Sequence, residues 1–241
     1  MLNFSFRQAG LKMKFSKKSW KIGSLILIVL IVAIILFSLP MKNIHSSDGK
    51  VAPILFILSG PSGVGKDTVA KRLLRAVGDK NLKKTITTTT RQPRKGEVDG
   101  VDYHFISREE FLKRIERSEF LEYANVHGNY YYGSSRTDIE STLSAGINVL
   151  LLIDVAGVEQ ILKQKNSFRV VTIFIAPKSL DELRQRIAGR GSETEESMAK
   201  RLQTAENEIK KAAIYDYVIT SGSRDEDFAA LLEIYEKVQN K

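Results

Sequence analysis

Nine consecutive residues, GPSGVGKDT from Gly60 to Thr68, carry the clearest chemistry in the chain. Gly60, Gly63 and Gly65 let the backbone turn tightly and aim several N–H groups at one anion. A helix starting just after them adds its positive amino-terminal end. Pro61, Ser62 and Val64 complete the loop, and Lys66 is the residue that reaches the outer phosphates of a nucleotide. The strict pattern continues with Ser or Thr, whose hydroxyl binds magnesium, but this chain has Asp67 followed by Thr68. A second cluster lies downstream. Arg91 and Arg94 are three apart in a Pro-containing loop, a spacing suited to gripping a doubly charged phosphate with bidentate forks.

Such residues act only if regular elements hold them. PILFILS, Pro53 to Ser59, is a short apolar run rich in strand formers that ends at the glycine loop. The spacing of Val69, Leu73, Leu74 and Val77 predicts a helix from Lys66 to about Val77. Further strands are predicted at Asn148–Asp154, Phe168–Ala176 and Tyr215–Thr220, separated by helices at Val155–Gln164, Ser179–Ala188 and Thr194–Ala213. Ser179 with Glu182, and Ser192 with Glu195, have capping-box spacing. A last helix is expected over Asp225–Gln239. Strands alternating with helices argue for a parallel sheet covered on both faces. Lys84 to Ser135 differs, with short Tyr- and Thr-rich runs that read as a smaller insertion with its own strands.

Composition narrows the function classes. The net charge is +9, from 37 Lys/Arg against 28 Asp/Glu. Eight of the basic residues and one acid lie within residues 1–50, leaving 29 and 27 over the rest. The basic excess belongs to the tail, which argues against a nucleic-acid surface on the body. No cysteine is present, so disulfides and thiolate metal sites are excluded. His45, His104 and His127 are scattered without ligand spacing. A basic tail, residues 1–21, precedes an uncharged apolar run, residues 22–39, just long enough to cross a bilayer as a helix. Residues 40–52 read as a linker. Charge bias would put the amino terminus in the cytoplasm and the body outside. A targeting segment and a functional start at Met41 are the other two readings.

At TTTTRQPRKGEVDGVDYHF, Thr87 to Phe105, the chain becomes recognisable. Together with the phosphate loop, FLEYANVHGNYYYGSS, IDVAG and RIAGRGSETEESMAKR, this block resembles the guanylate kinase family over residues 53–240. The resemblance implies an α/β phosphate-loop fold in three layers, with a parallel central sheet. It also implies a mixed β region for the nucleoside monophosphate, residues 84–140, and a helical lid, residues 186–205. The implied activity is ATP-dependent phosphorylation of GMP, and of dGMP with it, in purine nucleotide metabolism, with magnesium bound to ATP. The implied partners are these small molecules, with no nucleic acid and an unknown oligomeric state. Because ATP and GMP are intracellular, the resemblance favours a cytoplasmic catalytic domain, anchored or targeted through residues 22–39.

The resemblance also distributes roles. Tyr103 and Tyr132 would donate hydroxyls to the GMP phosphate beside Arg91 and Arg94, with Glu97 ordering the arginines. Glu122 would accept from the two adjacent donors on guanine's edge, a pair that adenine lacks. Ser134, Thr87 and Asp154 match further GMP-contacting positions. Arg186 would meet ATP, and Arg190 and Arg201 match lid arginines that act on the transferring group beside Lys66. Three departures stand out. Where the family reads GNYYG, this chain has Tyr130, Tyr131 and Tyr132 before Gly133. Ser221 and Gly222 stand where the family often has Asn and Asp. The motif Asp-x-Asp-x-x-Gly reads Leu152 to Gly157 with only its second carboxylate, Asp154. Asp67 would then take over the lost carboxylate's work at magnesium. A ribose bisphosphate kinase, whose phosphate loop also ends in Lys-Asp, and a non-catalytic interaction module are the rival readings.

Overall fold

A computed structural model of the chain describes residues 52–126, 129–189 and 194–240. The tail, the apolar run 22–39, most of the linker, His45, His127, Arg190 and Ser192 lie outside them. Among the described residues, no helix is long and apolar enough to cross a membrane.

The chain runs through β1 (Ile54–Ser59), α1 (Lys66–Val77), β2 (Leu82–Lys84), β3 (Thr88–Thr89) and β4 (His104–Phe105). It continues through α2 (Arg108–Glu116), β5 (Phe120–Val126), β6 (Tyr130–Ser135), α3 (Arg136–Ser144), β7 (Asn148–Leu152) and α4 (Val155–Leu162). It closes with β8 (Arg169–Ala176), α5 (Leu180–Ala188), α6 (Glu195–Lys210), a 3-10 turn (Ala212–Ile214), β9 (Tyr217–Thr220) and α7 (Arg224–Gln239). Five strands form an all-parallel sheet in the order β2-β7-β1-β8-β9. The other four form a mixed sheet in the order β4-β3-β6-β5.

The central strand β1 is buried along its whole length, because helices cover both faces of a parallel sheet. Ile54, Phe56 and Leu58 pack with Val69 and Leu73 of α1, Leu183 of α5, Met198 of α6 and Leu231 of α7. Leu55 and Ile57 point the other way, onto Ile139 and Leu143 of α3 and Val158 and Ile161 of α4. The period of two in one strand thus supplies both layers of core. Pairing of Leu58 with both Leu152 and Ile173 brings the carboxyl ends of β1, β7 and β8 level. Loops that leave this edge are where ligands bind in open parallel sheets.

Boundaries and caps depart from the sequence expectation in several places. β7 stops at Leu152, and Asp154 becomes the N-cap of α4. α6 is capped by Thr194, whose hydroxyl accepts from Ser197 N–H at 3.2 Å, while the expected Ser192/Glu195 box falls on a residue outside those described. Ser179 accepts from Glu182 N–H, but the Glu182 carboxylate turns to Arg186 instead of completing a box. The reciprocal box forms at Ser223 and Glu226, heading α7. α2 and α3 were not expected at all. Each buries only one or two apolar side chains, Phe111 in α2 and Ile139 and Leu143 in α3, too few to print a helical period on the sequence.

Candidate active site

The phosphate loop joins β1 to α1. Gly60, Gly63 and Gly65 have φ of 143°, 93° and 110°, in the region that side chains disfavour. Gly65 is also the N-cap of α1, and its carbonyl accepts from Thr68 and Val69 N–H at 3.0 and 3.3 Å. Lys66 Nζ donates to the carbonyls of Gly60 and Pro61, which place the ammonium across the loop. Asp67 and Thr68 are exposed in the first turn of α1. Two arginines brace the loop from outside. Arg186 on α5 donates to the Val64 carbonyl and Ser221 Oγ, both at 3.0 Å, and to the Gly222 carbonyl at 2.9 Å. Arg201 on α6 donates to Ser62 Oγ at 3.3 Å. Buried Asp227 holds the Ser221–Gly222 turn, accepting from Ser221 Oγ at 2.8 Å and Gly222 N–H at 2.7 Å.

A second set of cationic and phenolic groups gathers on the mixed sheet. Glu97 takes both guanidinium nitrogens of Arg91, at 2.9 and 2.8 Å, and the N–H of Arg94 at 2.7 Å. This fork holds the Arg91 pKa above its ordinary value and the Glu97 pKa below its own. Arg91 lies over the Tyr103 ring at 5.2 Å, and Tyr103 meets Tyr132 edge-on at 6.2 Å. Burial raises the Tyr103 hydroxyl above its usual range, with Tyr132 adding, Arg91 opposing and Asp67 contributing less. Arg94 is exposed beside this group. The run of three tyrosines is sorted by strand alternation. Tyr131 packs on Phe111 at 5.3 Å, Tyr130 is 45% exposed, and Tyr132 faces Arg91 and Tyr103.

Between this set and the parallel sheet is a cavity of about 370 Å³ whose lining includes Thr87, Tyr103, Glu122, Tyr132 and Asp154. Ala124, Val126, Leu152 and Ile153 complete its wall, and of these only Leu152 was marked in the sequence, as the missing carboxylate of the Asp-x-Asp-x-x-Gly motif. Glu122 is 5% exposed and accepts from the buried Ser134 hydroxyl at 2.5 Å, its cross-strand neighbour. Burial pushes the Glu122 carboxyl up to about 7; the Ser134 bond opposes this and the Asp154 charge adds to it. The backbone around Glu122 is clamped by α4 and the turn that follows it. Gln160 bonds both Tyr123 N–H, at 3.2 Å, and its carbonyl, at 2.8 Å, while Gln164 donates to the Leu121 carbonyl at 2.7 Å. Asp154, exposed at the head of the same helix, accepts from Gly157 N–H at 2.9 Å. A wider depression of about 770 Å³ lies at the amino ends of β1 and β7 and holds none of these residues.

One further group escaped sequence reasoning. Glu208 on α6 is half-buried, and burial pushes its carboxyl up to about 7, with Lys66 and Lys211 opposing and Asp154 adding. The signal was present as a helical face: Met198, Arg201, Ala205 and Glu208 recur at three and four residues. Lys211 pairs with Glu159 of α4 at 2.7 Å and ties the carboxyl end of α6 to the opposite layer. Among the described residues, no cluster of three or more His, Asp or Glu side chains could hold a metal ion. Lys66 at the loop and Arg91 on the mixed sheet are cationic groups chemically suited to anions, and Glu122 is a buried carboxyl beside the second of them.

The chain is similar to known proteins over most of its length. The family model described as guanylate kinase matches residues 53–238. A guanylate kinase of Rickettsia felis is 42% identical over 181 residues, covering 75% of this chain and 92% of that protein. One from Clostridium perfringens is 45% identical over 181 residues, covering 75% and 80%. The crystal structure of guanylate kinase from Anaplasma phagocytophilum superimposes with a TM-score of 0.64 at 35% identity, over 80% of this chain and 89% of that one. A match of this extent, on a chain that carries a phosphate loop on its parallel sheet and an arginine–tyrosine cluster with a buried glutamate on its mixed sheet, means that the protein belongs to the guanylate kinase family.

Proposed function

We propose that this chain transfers the terminal phosphoryl group of ATP to GMP, forming ADP and GDP. The observation that carries the reading is Glu122, a buried carboxylate with one oxygen taken by Ser134 and the other available, in a cavity next to Arg91 and Tyr103. Guanine offers N1–H and an exocyclic amine side by side. Adenine would leave the carboxylate unpaired in a buried site, which costs free energy that its binding must supply. Arg91, Arg94, Tyr103 and Tyr132 would take the GMP phosphate, while Thr87 and Asp154 border the nucleoside. The loop N–H groups and Lys66 would take the ATP phosphates, with Arg186 beside the Ser221–Gly222 turn on the nucleotide's far side.

Phosphoryl transfer asks little covalent chemistry of the protein. Alignment of the two phosphates, compensation of their charge and exclusion of water supply the rate. Arg201 and Arg190 are the residues proposed to do this from the lid, residues 186–205. A ribose bisphosphate or a protein partner would leave Glu122 and Ser134 without a ligand. We further propose that the kinase domain, residues 53–240, works inside the cell, where its substrates are, with residues 22–39 as anchor or targeting segment.

Magnesium, when bound with ATP, would screen the phosphate charge and help align the leaving group. The residues present suit it. Asp67 presents an exposed carboxylate one residue after Lys66, a hard oxygen donor of the kind magnesium accepts, whereas Leu152 at the end of β7 offers none. Asp67→Ser should impair magnesium-dependent turnover and weaken manganese binding to the enzyme–ATP complex measured by electron paramagnetic resonance. Adding Leu152→Asp should restore both, and full activity in Asp67→Ser alone would discard this role. The main assay follows ADP release with GMP, AMP or ribose bisphosphate as acceptor. Turnover with GMP and little with the other two is expected; folded protein that leaves GMP unaltered would overturn the reading.

A further inference from the structure

Gly157 is the third residue of α4, buried, in helical backbone where alanine would be the better helix former. Space explains why glycine stands there. A methyl group built on Gly157 would lie 2.8 Å from Glu122 Oε2 and 3.3 Å from its carboxyl carbon. The first distance is shorter than carbon and oxygen can approach. Ile153 Cδ1, at 3.1 Å, closes the space from another side. The Glu122 carboxylate cannot simply retreat. Its other oxygen is held by Ser134 Oγ at 2.5 Å, and Gln160 and Gln164 hold the strand on either side of it. The N–H of Gly157 meanwhile donates to Asp154 Oδ1, leaving the second oxygen of that carboxylate available.

We propose that Gly157 is a specificity-determining position, whose missing side chain is the seat of the Glu122 carboxylate and aims Oε2 at the guanine edge. The inference rests on the proposed GMP kinase activity. One glycine then orients both acids of the base pocket: its bare Cα seats Glu122, and its N–H holds Asp154. A side chain there would turn Oε2 out of line without touching the phosphate loop, which is built on β1 and α1. The consequence is confined to one substrate.

The test compares the full-length wild type with Gly157→Ala. With Ala, KM for GMP should rise about tenfold or more, KM for ATP should stay within about twofold, and the preference for GMP over AMP in kcat/KM should shrink. An unchanged KM for GMP in the folded variant, or an equal rise in both KM values, overturns the proposal. A stability cycle covers the case in which the variant folds poorly. With the carboxylate removed in Glu122→Ala, adding Gly157→Ala should leave Tm equal or higher, because the closest contact is gone, the Ile153 end methyl can turn into the space vacated and alanine favours the helix. A fall in Tm in that background would show that alanine collides with something other than Glu122 and would likewise sink the idea. Wild-type protein without GMP kinase activity would instead refute the proposed function, while the Tm cycle would still judge the seat.

Discussion

Burying a carboxylate costs free energy unless a partner compensates its charge. Glu122 has one hydroxyl partner and, with 5% of its surface exposed, holds its proton up to about pH 7. The ordinary value is 4.5, so between these limits the native protein binds the proton more firmly than the unfolded chain does. Stability from this group is therefore fully present below about pH 4.5 and is lost as pH rises from there to about 7. The interval corresponds to about 3 kcal/mol. Glu122→Gln keeps the shape and removes the charge. In urea unfolding it should match the wild type near pH 4 and exceed it by up to about 3 kcal/mol near pH 8, while losing GMP turnover. The wild type should lose affinity for GMP as pH falls below about 7, because the protonated acid no longer accepts both guanine donors. A wild type whose stability is flat between those pH values would contradict the buried-acid picture.

At the scale of elements, α6 is the part that links chemistry to architecture. Met198 and Ala205 sink into the core, and the same face carries Arg201 to Ser62 and Glu208 towards Lys66. Helical spacing alone puts the four on one side, and the core contacts decide that this side faces the phosphate loop. Arg201→Met should therefore leave the fold intact. It should lower kcat about 100-fold or more, a barrier increase of about 3 kcal/mol, on the scale of charge-compensating arginines. Comparable KM values with unaltered circular dichroism would separate lost charge compensation from lost structure, and an unchanged kcat would remove Arg201 from the catalytic set. α4 works differently. It contributes no charge to a phosphate, but its Gln160, with Gln164 just beyond its end, clamps β5 and its amino-terminal turn holds Asp154.

At the scale of the whole molecule, two sheets divide the labour. The parallel sheet ends in the phosphate loop, and the mixed sheet carries the arginine–tyrosine cluster and Glu122. Every described residue of the proposed site lies between Gly60 and Asp227, and the family match begins at residue 53. A chain starting at Met41 should accordingly keep kcat and both KM values within about twofold of the full-length protein. Loss of turnover in that folded truncation would mean that the first forty residues contribute to the site. Fractionation of the native protein, with sequencing of its amino terminus, would decide between anchor and targeting segment.

Read as a string of residues, the chain already disclosed its phosphate loop, its parallel-sheet architecture and the arginine pair at Arg91 and Arg94. These are local features. A loop built from nine consecutive residues, and strands and helices of strong periodicity, write their pattern directly into the order of side chains. Weakly amphipathic α2 and α3 left no such pattern. Tertiary packing alone decided which of three tyrosines turns to Arg91, which helix clamps β5, that Glu208 approaches Lys66, and that Gly157 makes room for Glu122. Each of those facts joins segments thirty or more residues apart, and only the collapse of the core onto both faces of β1 brings them within reach of one another.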